Sequence, residues 1–567
     1  MRKYTKIPDR AARQSVKCWS RLPKKRANET LFGINFVILG LDGAKRPSVH
    51  TEFYPYIKYK KNMGKISRRD FIKKSGVGTA AFMIVPNVVL GRSHGHVAPS
   101  DKLNIAGVGV GGMGRRNLRN MSTENIVALC DVDWKYANKT FNDYPNAKRF
   151  KDWRVMLDEM GKSIDAVLVA TPDHTHACVA AHSMTLGKHV YVQKPLTHSV
   201  YEARLLTKLA KKYKVATQMG NQGNSFDWCR QVAEWIWNDE IGEVREVHCW
   251  TDRPIWPQGL MKPADTPACP DTLDWNLFIG PAEMRPYHPS YTPWNWRGWY
   301  DFGTGALGDM ACHIMDPLVW ALDVKYPTSV IASSTLSNLY SPPHAEVITY
   351  TFPARPKKGK VKMPEVKVHW YDGGLMPPRP EELKDGEMMG DENGGIIFVG
   401  SKGKIMTGCY GMNPTLLPLD RMKDFKQPKP VLPRVKGGNG DIWNTDAHEQ
   451  DWIRACKESP ENRVESSSNF QHSGPFTEMV DMGVIAVRLA GMYGLHRTLQ
   501  WDGENMRFTN ISPNDKIKIV NHDDFKVIDG DPRFDRRFGE FNAVQAAEEW
   551  VKHTYHNGFS LPDMPKD

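Results

Sequence analysis

From residue 103 onward, short apolar runs alternate with longer charged stretches. Residues 103–108 form one such run and predict a buried strand. A glycine turn follows, Gly109-Val110-Gly111-Gly112-Met113-Gly114, and then a helix-compatible stretch at 115–121. Residues 126–130 predict a second strand, which ends at Asp131. The texture recurs with strands at 165–170, 189–192 and 215–218 and helices at 175–186 and 199–213. Strands alternating with helices of about 10–15 residues imply βαβ units, hence an α/β domain with a doubly wound parallel sheet over 100–222. Beyond it, strands are predicted at 246–250, 329–337, 347–352, 366–370, 396–399 and 404–408, and helices at 445–456 and 476–495. The stretches 353–364 and 376–395, rich in Pro, Lys and Gly, read as loops. No apolar run reaches the roughly 18 residues that a spanning helix needs.

The glycine turn is G-x-G-x-x-G between a strand and a helix, with an acid closing the next strand. That context marks a Rossmann dinucleotide site. Gly109 permits the tight turn, Gly111 lets backbone N–H groups approach a pyrophosphate, and Gly114 lets the helix pack on the strand. Gly112 and Met113 open the helix, whose N-terminus favours an anion. Asp131 stands 22 residues after Gly109, placed to accept hydrogen bonds from ribose hydroxyls. A carboxylate there repels a 2′-phosphate, which favours NAD over NADP. Gly107 offers an overlapping second register, and Arg115 and Arg116 pull the preference slightly back. Thr171-Pro172 and Lys194-Pro195 lie directly after strands, where ligands bind in open α/β sheets.

The motifs in order resemble the glucose–fructose oxidoreductase/inositol dehydrogenase (Gfo/Idh/MocA) family. Gly109–Gly114 with Asp131 resembles its NAD fingerprint. The segment 170–176, Ala-Thr-Pro-Asp-His-Thr-His, resembles its strand-end segment beside the cofactor. The segment 192–196, Val-Gln-Lys-Pro-Leu, is similar to its Glu-Lys-Pro motif, and 303–313 to its second-domain glycine, Asp and His motif. The resemblance covers roughly 100–500. It implies a Rossmann domain followed by an α+β domain, 223–512, with a large open and mostly antiparallel sheet. It also implies a cis Lys194–Pro195 bond. It leaves the tail at 513–567 unexplained. The family's Glu is Gln193 here, so Lys194 lacks that counter-ion.

Asp309 and His313 share one helix face if 306–322 is helical. Alone, such a pair is an ordinary surface feature. The family register, together with Lys194, makes it catalytic. His313 is then the proton acceptor, Lys194 the stabiliser of alkoxide character, and Asp309 orients His313 or binds another substrate hydroxyl. Thr171, Pro172, His176, Lys194 and Asn221 are cofactor-site candidates, though a polar turn explains Asn221 equally well. His174 and His176 do not make a metal site, and no metal is expected for hydride chemistry.

Nine of the 18 Trp lie between 228 and 299. Flat apolar rings suit sugar C–H faces. Trp299 and Arg297 therefore join Lys194, Asp309 and His313 as substrate candidates, with Arg297 equally readable as a structural ion-pair partner. Three functions remain in play: an NAD-dependent oxidoreductase acting on a sugar or glycoside CH–OH group, a glycoside hydrolase or lyase that oxidises C3 transiently and eliminates, and a carbohydrate-binding protein without chemistry.

Charge changes the picture in one place. The 76 Lys and Arg against 64 Asp and Glu give a net of +12, which by itself suggests a polyanion partner. Residues 1–62 carry 15 basic and 4 acidic side chains, and 63–99 carry 6 and 1. Residues 100–567 keep 55 and 59, a net of −4, so nucleic-acid binding loses its support. The segment 67–74, Ser-Arg-Arg-Asp-Phe-Ile-Lys-Lys, followed by an uncharged stretch to Gly91, resembles a twin-arginine export signal. It begins after Met63, so 1–62 reads as an upstream extension and 63–99 as signal and linker. The expected destination is the periplasm or another exported compartment, with no stable membrane anchor. A homo-oligomer through the second-domain sheet is a further expectation. The nine Cys show no CxxC pair, which excludes a zinc ribbon.

Overall fold

The computed structural model describes residues 101–490 and 494–566. The proposed extension and export signal lie outside the described residues.

The first sheet is built from β1 (Asn104–Val108), β2 (Asn125–Cys130), β3 (Lys148–Phe150), β4 (Ala166–Val169), β5 (His189–Val192) and β6 (Thr217–Met219). Its order is β3-β2-β1-β4-β5-β6, and every pairing is parallel. This is the Rossmann order, with its topological switch between β1 and β4. The strands are short and apolar because helices cover both faces. β3 and its flanking helices, Trp134–Asp143 and Trp153–Met160, add to the predicted elements. Their starts are written locally, since Asp133 and Asp152 cap the two helices with their side chains.

The second domain contributes β7 (Val244–Thr251), β8 (Ser329–Ser334), β9 (Glu346–Phe352), the short hairpin β10 (Arg355–Lys358) and β11 (Val361–Met363), β12 (Val366–Tyr371), β13 (Gly394–Gly400), β14 (Gly403–Gly408), β15 (Thr415–Leu417), β16 (Leu499–Asp502) and β17 (Arg507–Phe508). Nine of these form one sheet ordered β15-β14-β13-β7-β12-β9-β8-β16-β17. Its pairs are antiparallel except β7 with β12. Alternation along the central strands is clean: Val247, Ile348 and Val368 are fully buried in the main core, while their neighbours face the other way. Helices Gly305–Ile314 and Phe470–Ala490 pack on the core side.

Several expectations change. The region 353–364 holds the β10–β11 hairpin instead of a bare loop. The proposed helix at 306–322 is two helices, Gly305–Ile314 and Asp316–Leu322, with Pro317 opening the second. Asp309 and His313 both stay in the first. The unexplained tail is ordered. It forms a long hairpin, β18 (Lys516–Ile528) with β19 (Asp531–Asn542), and then helix Ala543–Val551. Ile517, Ala543, Ala547 and Trp550 are buried in the main core, so the tail completes the fold.

Candidate active site at the carboxyl ends of the Rossmann strands

The ends of β1 and β4 open into a cleft that runs from the glycine turn to Lys194 and Asp309. Gly109 leaves β1 at φ +75°, and a Cβ on it would meet the Ala170 backbone at 2.6 Å. Gly114 is tighter, because a Cβ there would lie 2.0 Å from the Gly109 oxygen. These contacts hold the helix Gly112–Asn120 against the strand. Gly111, its N-cap, supplies no side chain, and the first turn holds no acid. The opening N–H groups therefore suit a phosphate. Gly109, Gly111, Gly112 and Met113 line the cleft, and Gly114 packs behind them.

Asp131 lies at the same mouth. Its Oδ2 accepts from Val110 N at 2.8 Å and its Oδ1 from Asp133 N at 2.9 Å. The Gly111 N–H also faces this carboxylate, and the remaining acceptor capacity of its roughly four positions is available for hydroxyl groups. Burial pushes this carboxyl up to about 6. Uncapped N–H groups and a carboxylate along one cleft fit an adenine dinucleotide.

Lys194 forms the other end. It follows β5 directly, and its bond to Pro195 is cis, as the resemblance implies. Its ammonium donates to Asp309 Oδ1 at 2.5 Å and to the Asp309 carbonyl at 3.2 Å. Arg297, in the turn Asn295–Gly298, places Nε 3.2 Å from the same Oδ1, with its guanidinium over the Trp296 ring. Burial alone would raise the Asp309 carboxyl, but Lys194 and Arg297 hold it well below the usual range. Asp173, fully buried, accepts from Thr304 N and Thr304 Oγ1, which pins the glycine loop that enters the Asp309 helix.

Asp309 thus holds two cations and makes no hydrogen bond to His313. The expected orientation of His313 by Asp309 is corrected here, because Lys194 and Arg297 arrive from other elements and take its oxygens. The His313 ring packs against Tyr410, centroids 4.6 Å apart, and its buried Nδ1 has no hydrogen-bond partner. Burial, reinforced by the Lys194 charge, pushes its pKa well below the ordinary value, so the ring is neutral.

The structure also accounts for Gln193. Its Nε2 donates to Asn117 Oδ1 at 2.9 Å, and Asn117 Nδ2 donates to Glu449 Oε1 at 2.7 Å. Glu449 is buried, so the amide relay runs toward it and position 193 must supply a donor. An amide does so and a carboxylate does not. Lys194 finds its counter-ion in Asp309.

Thr171 and Pro172 line the cleft. Four other candidates do not, His313 among them, one turn behind Asp309 in the same helix. Trp299 is 1% exposed, donates its indole N–H to the Ser290 carbonyl and packs on Tyr291. Trp294 and Trp296 line the cleft instead. Asn221 is buried in a polar network with Asp316 and Ser468. His176 ties two strand ends together through the carbonyls of Pro195 and Thr171, both at 2.9 Å. His174 Nε2 likewise faces the Phe278 and Ile279 carbonyls, so these two His are structural. Residues without a sequence signal complete the wall. Tyr136 lies over Gly111 and Gly112, and Phe559 reaches in from the tail, stacked on Arg154 at 4.4 Å.

Fold and site define a two-domain protein with an NAD-type dinucleotide cleft. Comparison with known proteins agrees. Residues 103–221 match the Gfo/Idh/MocA oxidoreductase family's NAD-binding Rossmann fold, and residues 250–350 match its C-terminal α/β domain. Residues 103–221 and 250–350 thus resemble the two domains of that family, and the cofactor is NAD. Glycosyl hydrolase family 109 protein 1 of Shewanella sp. strain MR-4 is 27% identical over 177 residues, 26% of this chain and 38% of that protein. Inositol 2-dehydrogenase of Salmonella typhimurium strain LT2 is 26% identical over 147 residues, 25% of this chain and 43% of that protein. The chain thus spans less than half the length of these curated relatives. Among solved structures, the WlbA dehydrogenase of Bordetella pertussis, in complex with NADH and UDP-GlcNAcA, aligns with TM-score 0.46 and 16% identity, over 68% of this chain and 97% of that one.

Proposed function

We propose that the protein is an exported NAD-dependent oxidoreductase acting on a CH–OH group of a sugar or glycoside. The observation that carries this reading is the Lys194–Asp309–Arg297 cluster, facing the cleft at the end opposite Asp131 and the glycine turn.

An ammonium has three N–H donors. Asp309 occupies two of those on Lys194, and the third is left for a substrate oxygen. Asp309 fixes the direction of that donor and keeps Arg297 beside it. His313, neutral at pH 7, takes the hydroxyl proton as Lys194 stabilises the negative charge that develops on oxygen. Bound NAD supplies hydride acceptance from the carbinol carbon. Trp294 and Trp296 offer ring faces for sugar C–H groups at the same mouth. The relative named inositol 2-dehydrogenase supports a polyhydroxylated substrate.

A second reading has its own support. The match to a protein named as a glycosyl hydrolase suits a cycle in which oxidation, elimination and hydride return leave no net redox change. Mass spectrometry of products from a glycoside panel, with NAD-loaded protein, decides. A keto product supports net oxidation, a cleaved glycoside supports the cycle, and unchanged glycosides throughout refute both.

Export rests on the 67–74 motif. Cell fractionation tests it, and replacement of Arg68 and Arg69 by Lys is expected to retain the protein in the cytoplasm. Self-association through the nine-stranded sheet belongs to the same proposal, and the solution mass measures it.

A further inference from the structure

Away from the cleft, the nine-stranded sheet carries a polar cluster on the face opposite the core. On β7, Val247 and Cys249 are buried in the core, so Glu246 and His248 point to the other side. On β12, Val368 and Trp370 do the same, leaving His369 and Tyr371 beside them. The parallel register pairs His248 directly with His369, and the rings stack with centroids 5.0 Å apart at 18°. Both Nε2 atoms turn toward one carboxylate oxygen. Glu246 Oε1 lies 3.4 Å from His248 Nε2 and 3.2 Å from His369 Nε2. The other ring nitrogens meet hydroxyl groups: His369 Nδ1 is 2.8 Å from Thr349 Oγ1, and His248 Nδ1 is 3.3 Å from Tyr371 OH. The buried His369 Nε2 has no partner of hydrogen-bonding geometry.

We propose that Glu246, His248 and His369 bind a first-row divalent transition ion, with Zn²⁺ as the fitting representative. Two imidazoles and a carboxylate are a donor set suited to such ions. Ligand atoms about 2.0–2.1 Å from a tetrahedral ion lie about 3.3–3.4 Å from one another. The two measured N···O separations, 3.4 and 3.2 Å, already match that edge. All three ligand atoms fall within 4.8 Å of one another, so rotation of the side chains closes the remaining edge. Thr349 and Tyr371 accept the Nδ1 protons, which fixes the tautomer that leaves each Nε2 lone pair for the ion. The Glu246 side chain is 47% exposed, so the fourth position opens to solvent. The ion cross-links β7 to β12, the one parallel pair in this sheet. None of these residues lines the cleft.

The test uses the full chain, stripped with a chelator and titrated calorimetrically with Zn²⁺ alone, with metal content measured after desalting. One equivalent is expected to bind and to raise Tm by several degrees. His248→Asn and His369→Asn are each expected to lose that equivalent while keeping the metal-free Tm. Thr349→Val leaves every ligand in place and is expected to weaken binding about 10–100-fold by freeing one ring. Wild-type binding no tighter than that of the double His→Asn variant overturns the proposal, and so does a Thr349→Val affinity equal to wild type.

Discussion

Replacing Asp309 by Asn removes one charge and almost no volume from a site where two cations share a single oxygen. At an effective interior dielectric of ~20, unit charges 2.5 Å apart attract by roughly 6–7 kcal/mol, and at 3.2 Å by roughly 5 kcal/mol. Desolvation of the three groups offsets most of this. Breaking such a buried pair while its partner remains costs about 3–5 kcal/mol. At roughly 2 °C per kcal/mol for a large domain, Asp309→Asn is expected to lower Tm by about 6–10 °C. Activity is expected to fall about 100-fold in kcat/KM, the scale of losing one preorganised donor, because Lys194 is no longer held toward the substrate. The pH dependence supplies a second check. The native Asp309 pKa lies below its ordinary value of 3.8, so its stabilisation is complete above 3.8 and is lost as pH falls toward the depressed native value. The stability gap between wild type and variant should stay constant from about pH 5 to 8 and narrow below about pH 4. Thermal denaturation across that range and steady-state kinetics at pH 7 give both quantities. A variant within about 1 °C and twofold of wild type refutes the assignment of Asp309 as the shared counter-ion.

Three further outcomes follow from neighbouring residues. Gly114→Ala places a Cβ 2.0 Å from the Gly109 oxygen, so the purified variant should carry no nicotinamide by mass spectrometry even where it folds. Phe559→Ala opens the cleft wall at the tail and should speed NAD release at least several-fold in stopped-flow exchange, with Tm little changed because Phe559 lies at the margin of the core. Burial raises Glu449 from 4.5 to about 7, so its favourable contribution is complete below 4.5 and lost as pH rises through 7. Glu449→Gln keeps the acceptor for Asn117 and should gain up to about 3 kcal/mol on wild type between pH 5 and 8.5 in denaturant midpoints.

What the chain reveals about itself depends on how locally each feature is written. The glycine turn, the acid at 131 and the strand-end Lys194 sit within a few residues of the elements that place them. Strand–helix alternation gave the parallel sheet by the same local logic. The partners that tune the site come from far away. Asp309 lies 115 residues from Lys194, and Glu449 lies 332 from Asn117, so no local pattern marks either contact. Trp299 shows the converse: the run of Trp before the glycine loop made it a ligand candidate, but the fold needs this ring for the Tyr291–Phe302 core and leaves Trp294 and Trp296 at the cleft. Asn221 and His176 sit at strand ends as expected, yet backbone carbonyls and Asp316 take up their polar atoms. The tail was opaque because it completes a core whose other walls lie hundreds of residues earlier. Glu246 and His248 share one strand face, but His369 comes from another strand, so no local pattern marks that cluster.

The central claim is hydride transfer within the cleft, assisted by Lys194. The most direct measurement is a single turnover of NAD-loaded protein with a glycoside deuterated on its carbinol carbons, read by mass spectrometry of the released nicotinamide cofactor. Deuterium on the cofactor in wild type, with its rate of appearance reduced at least 100-fold in Lys194→Ala, is the predicted result. Deuterium appearing equally fast in Lys194→Ala, or none appearing in wild type while the glycoside is consumed, contradicts it.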